Sequence, residues 1–395
     1  MQYPIRVNPA DVANLSPRQE QIRIKMGPFG EEPTSNMMRT FLNYPEFCRS
    51  IGRIGTRVTL TTDLPARMAA LASLRTVWLC GCEYLWAQVR DEARTAGITE
   101  PELQAIATGN YATLNSIETH VVEAIDEMHD THYLTEEKWY RINLLGSTAI
   151  MDIIMTYAFF VTLSVAVNSM GVPLEEGQRG WDLPWTPSVN AGTGLTALHE
   201  LPKRVFEADY ALLTPAQIEV ASRLGRRGKP TTSKLQKAMI NYPVFMQALA
   251  AFGKRGIDDS SLPMRIWQIA CMRTVWLCDS EYLWAQHGKV CLTKLGVTPE
   301  ILAGVAEGPG AKSLEGIDQV MVAAVDDMYY DNRISDENWE KINELGPEAV
   351  TDLVIVFGLY VLQSCVARCF GTTLEEGVPG FPPELDRFRE GHRRS

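Results

Sequence analysis

The residues best suited to move protons lie in two near-identical stretches. Glu83-Tyr84-Leu85-Trp86-Ala87-Gln88 returns as Glu281-Tyr282-Leu283-Trp284-Ala285-Gln286, and only the second is followed by a histidine, His287. An imidazole exchanges protons near neutrality, so His287 is a candidate acid or base, with Glu83 and Glu281 as candidate acids. Just upstream, Arg75-Thr76-Val77-Trp78-Leu79-Cys80 returns as Arg273-Thr274-Val275-Trp276-Leu277-Cys278. Arg75 or Arg273 could meet an anionic group. Trp78, Tyr84 and Trp86, with Trp276, Tyr282 and Trp284, could wall a pocket for an apolar or planar substrate. The competing reading makes the aromatics ordinary core and the glutamates partners of buried arginines.

Helical geometry sorts these groups. On one continuous helix, Arg273, Trp276, Ser280, Leu283 and His287 share a stripe, matched by Arg75, Trp78, Cys82, Leu85 and Val89. Glu281 precedes His287 by six residues, which points the two about 120° apart. They cooperate only if a cavity wraps around the helix or the other copy closes it.

A second constellation is acidic. His120, Glu123 and Glu127 stand at i, i+3 and i+7, with Asp126, His129, Asp130 and His132 close by. Such spacing can hold a divalent ion. The other copy has Val320, Ala323 and Asp327 there but keeps Asp326-Asp327 and Asp331. Glu123, Glu127, Asp326 and Asp327 are therefore the candidate ligands for Mg²⁺ and, through it, a prenyl diphosphate. This loosely resembles the aspartate-rich motif of terpene cyclases. A solvated helix end is the simpler reading. Cys80 and Cys82 point apart on a helix, and Cys365 and Cys369 fall on an apolar run, so neither pair suggests a disulfide or a metal clip.

The elements that must position these groups come in duplicate. Asn43-Tyr44-Pro45 returns as Asn241-Tyr242-Pro243, 198 residues on, and a period that long marks a duplicated domain. The first copy spans 15–177 and the second 213–377, separated by a Pro-, Gly- and Trp-containing linker at 178–212 (Trp181, Pro184, Trp185, Pro187) and followed by a tail at 378–395. Gly27 and Gly30 return as Gly225 and Gly228. Within each copy the pattern is helical, with Pro65 and Pro263 as starts and Thr99, Thr298, Thr135 and Ser335 as caps. No alternating strand pattern emerges. The expected fold is all-α: two tandem helical bundles related by a pseudo-twofold axis.

The bulk numbers limit the function. A chain of 395 residues, 46% hydrophobic, has room for two domains each able to bury its own core, and a net charge of −11 argues against a nucleic-acid partner. The basic runs Arg223–Lys229 and Arg393-Arg394 read as solvated surface. The start of the chain lacks the apolar run of a signal peptide, and Ile153–Val167 is shorter than the ~18–20 residues of a membrane span. Eight irregularly spaced cysteines suit reduced thiols, so the expectation is a cytoplasmic protein without a membrane span.

The run 67–90 and its copy 265–289 resemble the signature helix of the carboxymuconolactone decarboxylase and alkylhydroperoxidase-D-like superfamily. The following Gly97-Ile98-Thr99 and Gly296-Val297-Thr298 turns, and the Asp-Glu-Met and Asp-Asp-Met segments, fit as well. That resemblance implies an all-α fold, a buried pocket along the helix and a homo-oligomer. It does not carry peroxidase activity, because the paired cysteines and histidine of that branch fall on Cys82, Leu85 and Val89, or on Ser280, Leu283 and His287. The upstream acid falls on Ala70 and Gln268. The decarboxylase branch often has Glu where Leu85 and Leu283 stand. His287 keeps the family's catalytic position. The resulting expectation is a non-redox lyase or isomerase of a small, largely apolar molecule that requires no cofactor. The alternatives are a Mg²⁺-dependent cyclase and a catalytically degenerate binding or scaffold protein.

Overall fold

The computed structural model describes residues 3–31, 34–185, 201–224 and 230–389. Gly225, Gly228, most of the 223–229 basic run, Pro187 and Arg393-Arg394 lie outside them. Every regular element among the described residues is helical. The first repeat contains α1 (Pro17–Lys25), α2 (Asn36–Phe41), α3 (Pro45–Thr59), α4 (Ala66–Leu79), α5 (Glu83–Thr95), α6 (Glu100–Thr108), α7 (Ser116–Thr131), α8 (Glu136–Asn143) and α9 (Ala149–Met170). The second repeats the order with α10 (Pro215–Leu224), α11 (Lys234–Met239), α12 (Pro243–Ile257), α13 (Met264–Leu277), α14 (Glu281–Lys294), α15 (Pro299–Glu307), α16 (Ile317–Tyr330), α17 (Asp336–Asn343) and α18 (Ala349–Phe370). A short α19 (Asp386–Arg389) follows.

The helix starts obey their sequence signals. Pro45 and Pro243 open α3 and α12, where a missing N–H costs nothing. Thr135 and Ser335 cap α8 and α17 by accepting from Lys138 N and Asn338 N. The most apolar helices, α9 and α18, are 22 residues each, longer than the uncharged run suggested and long enough to cross a membrane by length and composition. Here they are buried and pack on each other, as do α3 and α12. Equivalent helices meeting one another is the pairing that a twofold axis generates. At the α9–α18 crossing a side chain on Gly358 would run into Thr162 Oγ1, so the glycine permits the close approach.

Each repeat is tied internally by the same buried ion pair. Arg57 Nη2 lies 2.7 Å from Asp152, and Arg255 Nε lies 2.5 Å from Asp352, joining α3 to α9 and α12 to α18. Equivalence also continues outside 15–177 and 213–377. Arg6 N and Arg204 N donate to Met170 O and Phe370 O at the ends of α9 and α18. The same arginines then reach the opposite repeat, Arg6 to Ile334 O and Arg204 to Leu134 O, both at 2.8 Å. Residues 201–212 thus pack as the entry arm of the second repeat.

Candidate active site in the second repeat

The run read as one helix is two. After α4 the backbone turns at Cys80-Gly81-Cys82, with Gly81 at φ 58°; after α13 it turns at Cys278-Asp279-Ser280, with Asp279 at φ 50°. Gly81 N donates to Trp78 O and Cys82 N to Val77 O, and Asp279 N and Ser280 N repeat the pattern on Trp276 O and Val275 O. This is a helix stop closed by a left-handed residue. Gly81 adopts that conformation at no steric cost. Asp279 is held in it by Arg368, which bonds both its carbonyl and its carboxylate, and by Arg389 at 2.6 Å. The single stripe from Arg273 to His287 is therefore broken, leaving the arginines on α4 and α13 and His287 on α14.

The arginines are occupied. Arg75 donates through Nε to Asp126 at 2.6 Å and through Nη1 to Ile106 O; Arg273 pairs with Asp326 at 2.6 and 2.8 Å and donates to Val305 O and Ala306 O. Asp326, a candidate metal ligand, is thereby spent on Arg273. Glu83 and Glu281 accept from backbone N–H groups, Trp181 N at 3.1 Å and Phe381 N at 2.9 Å. Each clamps the segment that follows its repeat's last helix. Trp181 and Phe381 then pack edge-on against Trp78 and Trp276, at 5.1 and 5.0 Å between centroids. Trp86 and Trp284 complete these clusters. The indoles thus hold the segments at 178–185 and 378–385. Tyr84 and Tyr282 donate to Glu175 and Glu375 at 2.6 and 2.7 Å. Cys82 and Ser280 are buried at the turns, and burial pushes the Cys82 thiol up to about 12.

The other acidic candidates have local partners. Glu127 accepts from Thr135 N and Oγ1, and Asp327 from Ser335 N and Asn338 Nδ2, so both brace the entry to the next helix. Glu123 pairs with Lys138 at 2.6 Å. Among the described residues no three His, Cys, Asp or Glu side chains converge as a metal site. A cleft lined by Tyr3, Glu83, Tyr84 and Asn168 offers about 20 Å³, room for a water rather than a substrate.

His287 behaves differently. Part of its surface remains accessible, yet both ring nitrogens are engaged: Nδ1 lies 3.1 Å from Gln268 Oε1 on α13, and Nε2 lies 3.1 Å from the Tyr360 hydroxyl on α18. Trp267 and Tyr360 pack against the ring at 5.8 and 4.9 Å. Cys291 Sγ lies 3.9 Å from the same Gln268 oxygen, and the Cys271 thiol interacts with Tyr360. Desolvation lowers the His287 pKa to about 4, and no charged side chain adds to that shift. The imidazole is neutral at physiological pH, and burial keeps the Tyr360 hydroxyl protonated.

The first repeat has none of this. Val89, Ala70, Phe160, Ser73, Ala93 and Ala69 stand where the second has His287, Gln268, Tyr360, Cys271, Cys291 and Trp267. Sequence reasoning found His287 and placed Gln268, but missed Tyr360, Cys271, Cys291 and Trp267. Comparing α9 with α18 at their own offset of 200 residues, instead of 198, would have exposed Tyr360 against Phe160.

No protein-family model, curated protein or solved structure matches this chain.

Proposed function

We propose that the second repeat performs non-redox lyase or isomerase chemistry on a small, largely apolar organic molecule, with His287 carrying the proton. The observation that carries this reading is the polar group Gln268–His287–Tyr360, built from three helices of one repeat where the other is apolar. A half-buried imidazole kept neutral and bonded to a tyrosine is in the protonation state a general base needs. The resemblance to the carboxymuconolactone decarboxylase superfamily adds the expectation of a fused AhpD-like fold and a homo-oligomer, and the cysteine usage that of a cytoplasmic location. The first repeat, with its apolar counterpart, fits the degenerate binding or scaffold role within the same chain. The Mg²⁺-dependent cyclase has less support, because the oxygens of Glu127, Asp326 and Asp327 already accept protein hydrogen bonds.

The test is turnover of a panel of small lactones, enones and β-keto acids followed by proton NMR, with wild type beside His287→Gln. Turnover that the substitution abolishes supports the reading. Equal turnover in both proteins, or none across the panel, overturns it.

A further inference from the structure

The hydrogen bonds around His287 run in one direction. Two donors converge on Gln268 Oε1: His287 Nδ1 at 3.1 Å and the Cys291 thiol at 3.9 Å. An amide oxygen only accepts, so this arrangement puts the ring proton on Nδ1 and leaves Nε2 with its lone pair. Tyr360 must then be the donor to Nε2. Every polar group in the cluster has a consistent role.

The surroundings select the ligand's charge. Trp267, Tyr360, Gln268, Cys271 and Cys291 are neutral, and Arg265, whose charge is felt at Cys291, is held by Asp318 at 2.5 Å. Arg273 is consumed by Asp326. An anion brought here would lose its hydration without gaining a counter-charge. A neutral acceptor would lose little.

From this geometry we infer that Gln268, His287 and Tyr360 are preset for a neutral, enolisable carbonyl compound, with Tyr360 as donor to the carbonyl oxygen and Gln268 as the positioning residue that fixes the His287 tautomer. This rests on the proton-transfer reading above and adds its substrate class and two of its residues. A carbonyl oxygen that takes the Tyr360 hydrogen bond releases Nε2 from its partner. Nε2 then accepts the proton from the adjacent carbon, and the C–H electron pair forms the enolate double bond. The carbonyl pair moves to the oxygen, where the Tyr360 O–H holds it. With a β,γ-unsaturated carbonyl compound the anion is a dienolate, and return of the proton from the imidazolium to its γ-carbon moves the C=C bond into conjugation and re-forms the carbonyl. That is an isomerisation without oxidant, metal or co-reactant. With a saturated compound, return to the same carbon gives proton exchange alone.

The test reads the imidazole nitrogens of the full-length, ¹⁵N-labelled protein, with His287 assigned by its loss in His287→Gln. Between about pH 6 and 8 the neutral ring should carry its proton on Nδ1. Gln268→Leu should mix the tautomers, and Gln268→Glu, which keeps an acceptor, should restore Nδ1–H. A proton on Nε2 in wild type, or a ring indifferent to Gln268→Leu, overturns the positioning role. Cyclohexanone and cyclohexanecarboxylate are then titrated as a neutral and an anionic probe built on the same six-membered ring. The ketone should move the Nε2 signal, and Tyr360→Phe, the first repeat's own residue, should weaken its binding about fivefold to tenfold. Tighter binding of the carboxylate, or no movement with either probe, overturns the carbonyl assignment. Neither readout requires turnover, so a failed turnover panel leaves this inference decidable.

Discussion

Phe160 and Tyr360 occupy the same place on α9 and α18 and differ by one oxygen, and that oxygen marks what separates the two repeats. Against Phe160 the first repeat sets Val89 and Ala70; against Tyr360 the second sets His287 and Gln268. Several other contacts are shared by both repeats. The Arg57–Asp152 and Arg255–Asp352 pairs, the Arg75–Asp126 and Arg273–Asp326 pairs, and the Glu83 and Glu281 clamps are present twice. Interactions present in both copies serve the fold, since both must fold. A polar group that one copy replaces with apolar residues is not required by the shared fold, so it is either a local brace, as Asp279 with Arg368 is, or available for function.

The comparison breaks most visibly if the shared elements are unequal. Arg75→Ala and Arg273→Ala each strand a half-buried carboxylate and should cost about 3–5 kcal/mol in chemical denaturation. A large loss in one repeat and none in the other would contradict their common structural role. Next comes His287→Val, which recreates Val89 but orphans Tyr360 and Gln268 and should cost about 1–3 kcal/mol. Adding Tyr360→Phe and Gln268→Ala removes the orphans and should recover most of that loss. Failure to recover would mean that the cluster holds the second repeat together.

A subtler distinction lies in pH. The unfolded His287 protonates near 6.5, but the folded one only near 4. Its contribution to stability is therefore complete above pH 6.5 and declines as pH falls toward 4. His287→Val should flatten the stability profile across that window and lower it by a constant amount above. A parallel offset at all pH values would mean the ring titrates normally. The smallest effect belongs to the clamps: Glu83→Gln and Glu281→Gln should each cost about 1 kcal/mol and loosen the segments at 178–185 and 378–385 to proteolysis. Loss of catalytic turnover with intact protease resistance in Glu281→Gln would instead return Glu281 to the chemistry.

Much of the architecture was legible in the sequence because repeated triplets, caps and proline starts are local signals. The helix stop before Ser280 was not, because Cys278-Asp279-Ser280 contains no glycine or proline. The left-handed turn there is stabilised by Arg368, distant in sequence. The extent of each repeat was understated for a similar reason. Pro4, Arg6 and Val7 return as Pro202, Arg204 and Val205, too sparse a match until both arms are seen docked on α9 and α18. Of the candidate site, His287 stood out as a difference between aligned copies. The arginines, glutamates and tryptophans were chosen by chemical type, and their partners come from helices and segments that spacing on one helix does not reveal.

The measurement closest to the central claim is deuterium uptake at the carbon beside a neutral carbonyl, comparing wild type with the Gln268→Ala/His287→Val/Tyr360→Phe variant. That variant gives the second repeat the first repeat's residues at all three positions. The account predicts enzyme-accelerated uptake in wild type and only the buffer rate in a folded variant. Uptake that persists in the variant, or none in wild type, would contradict it.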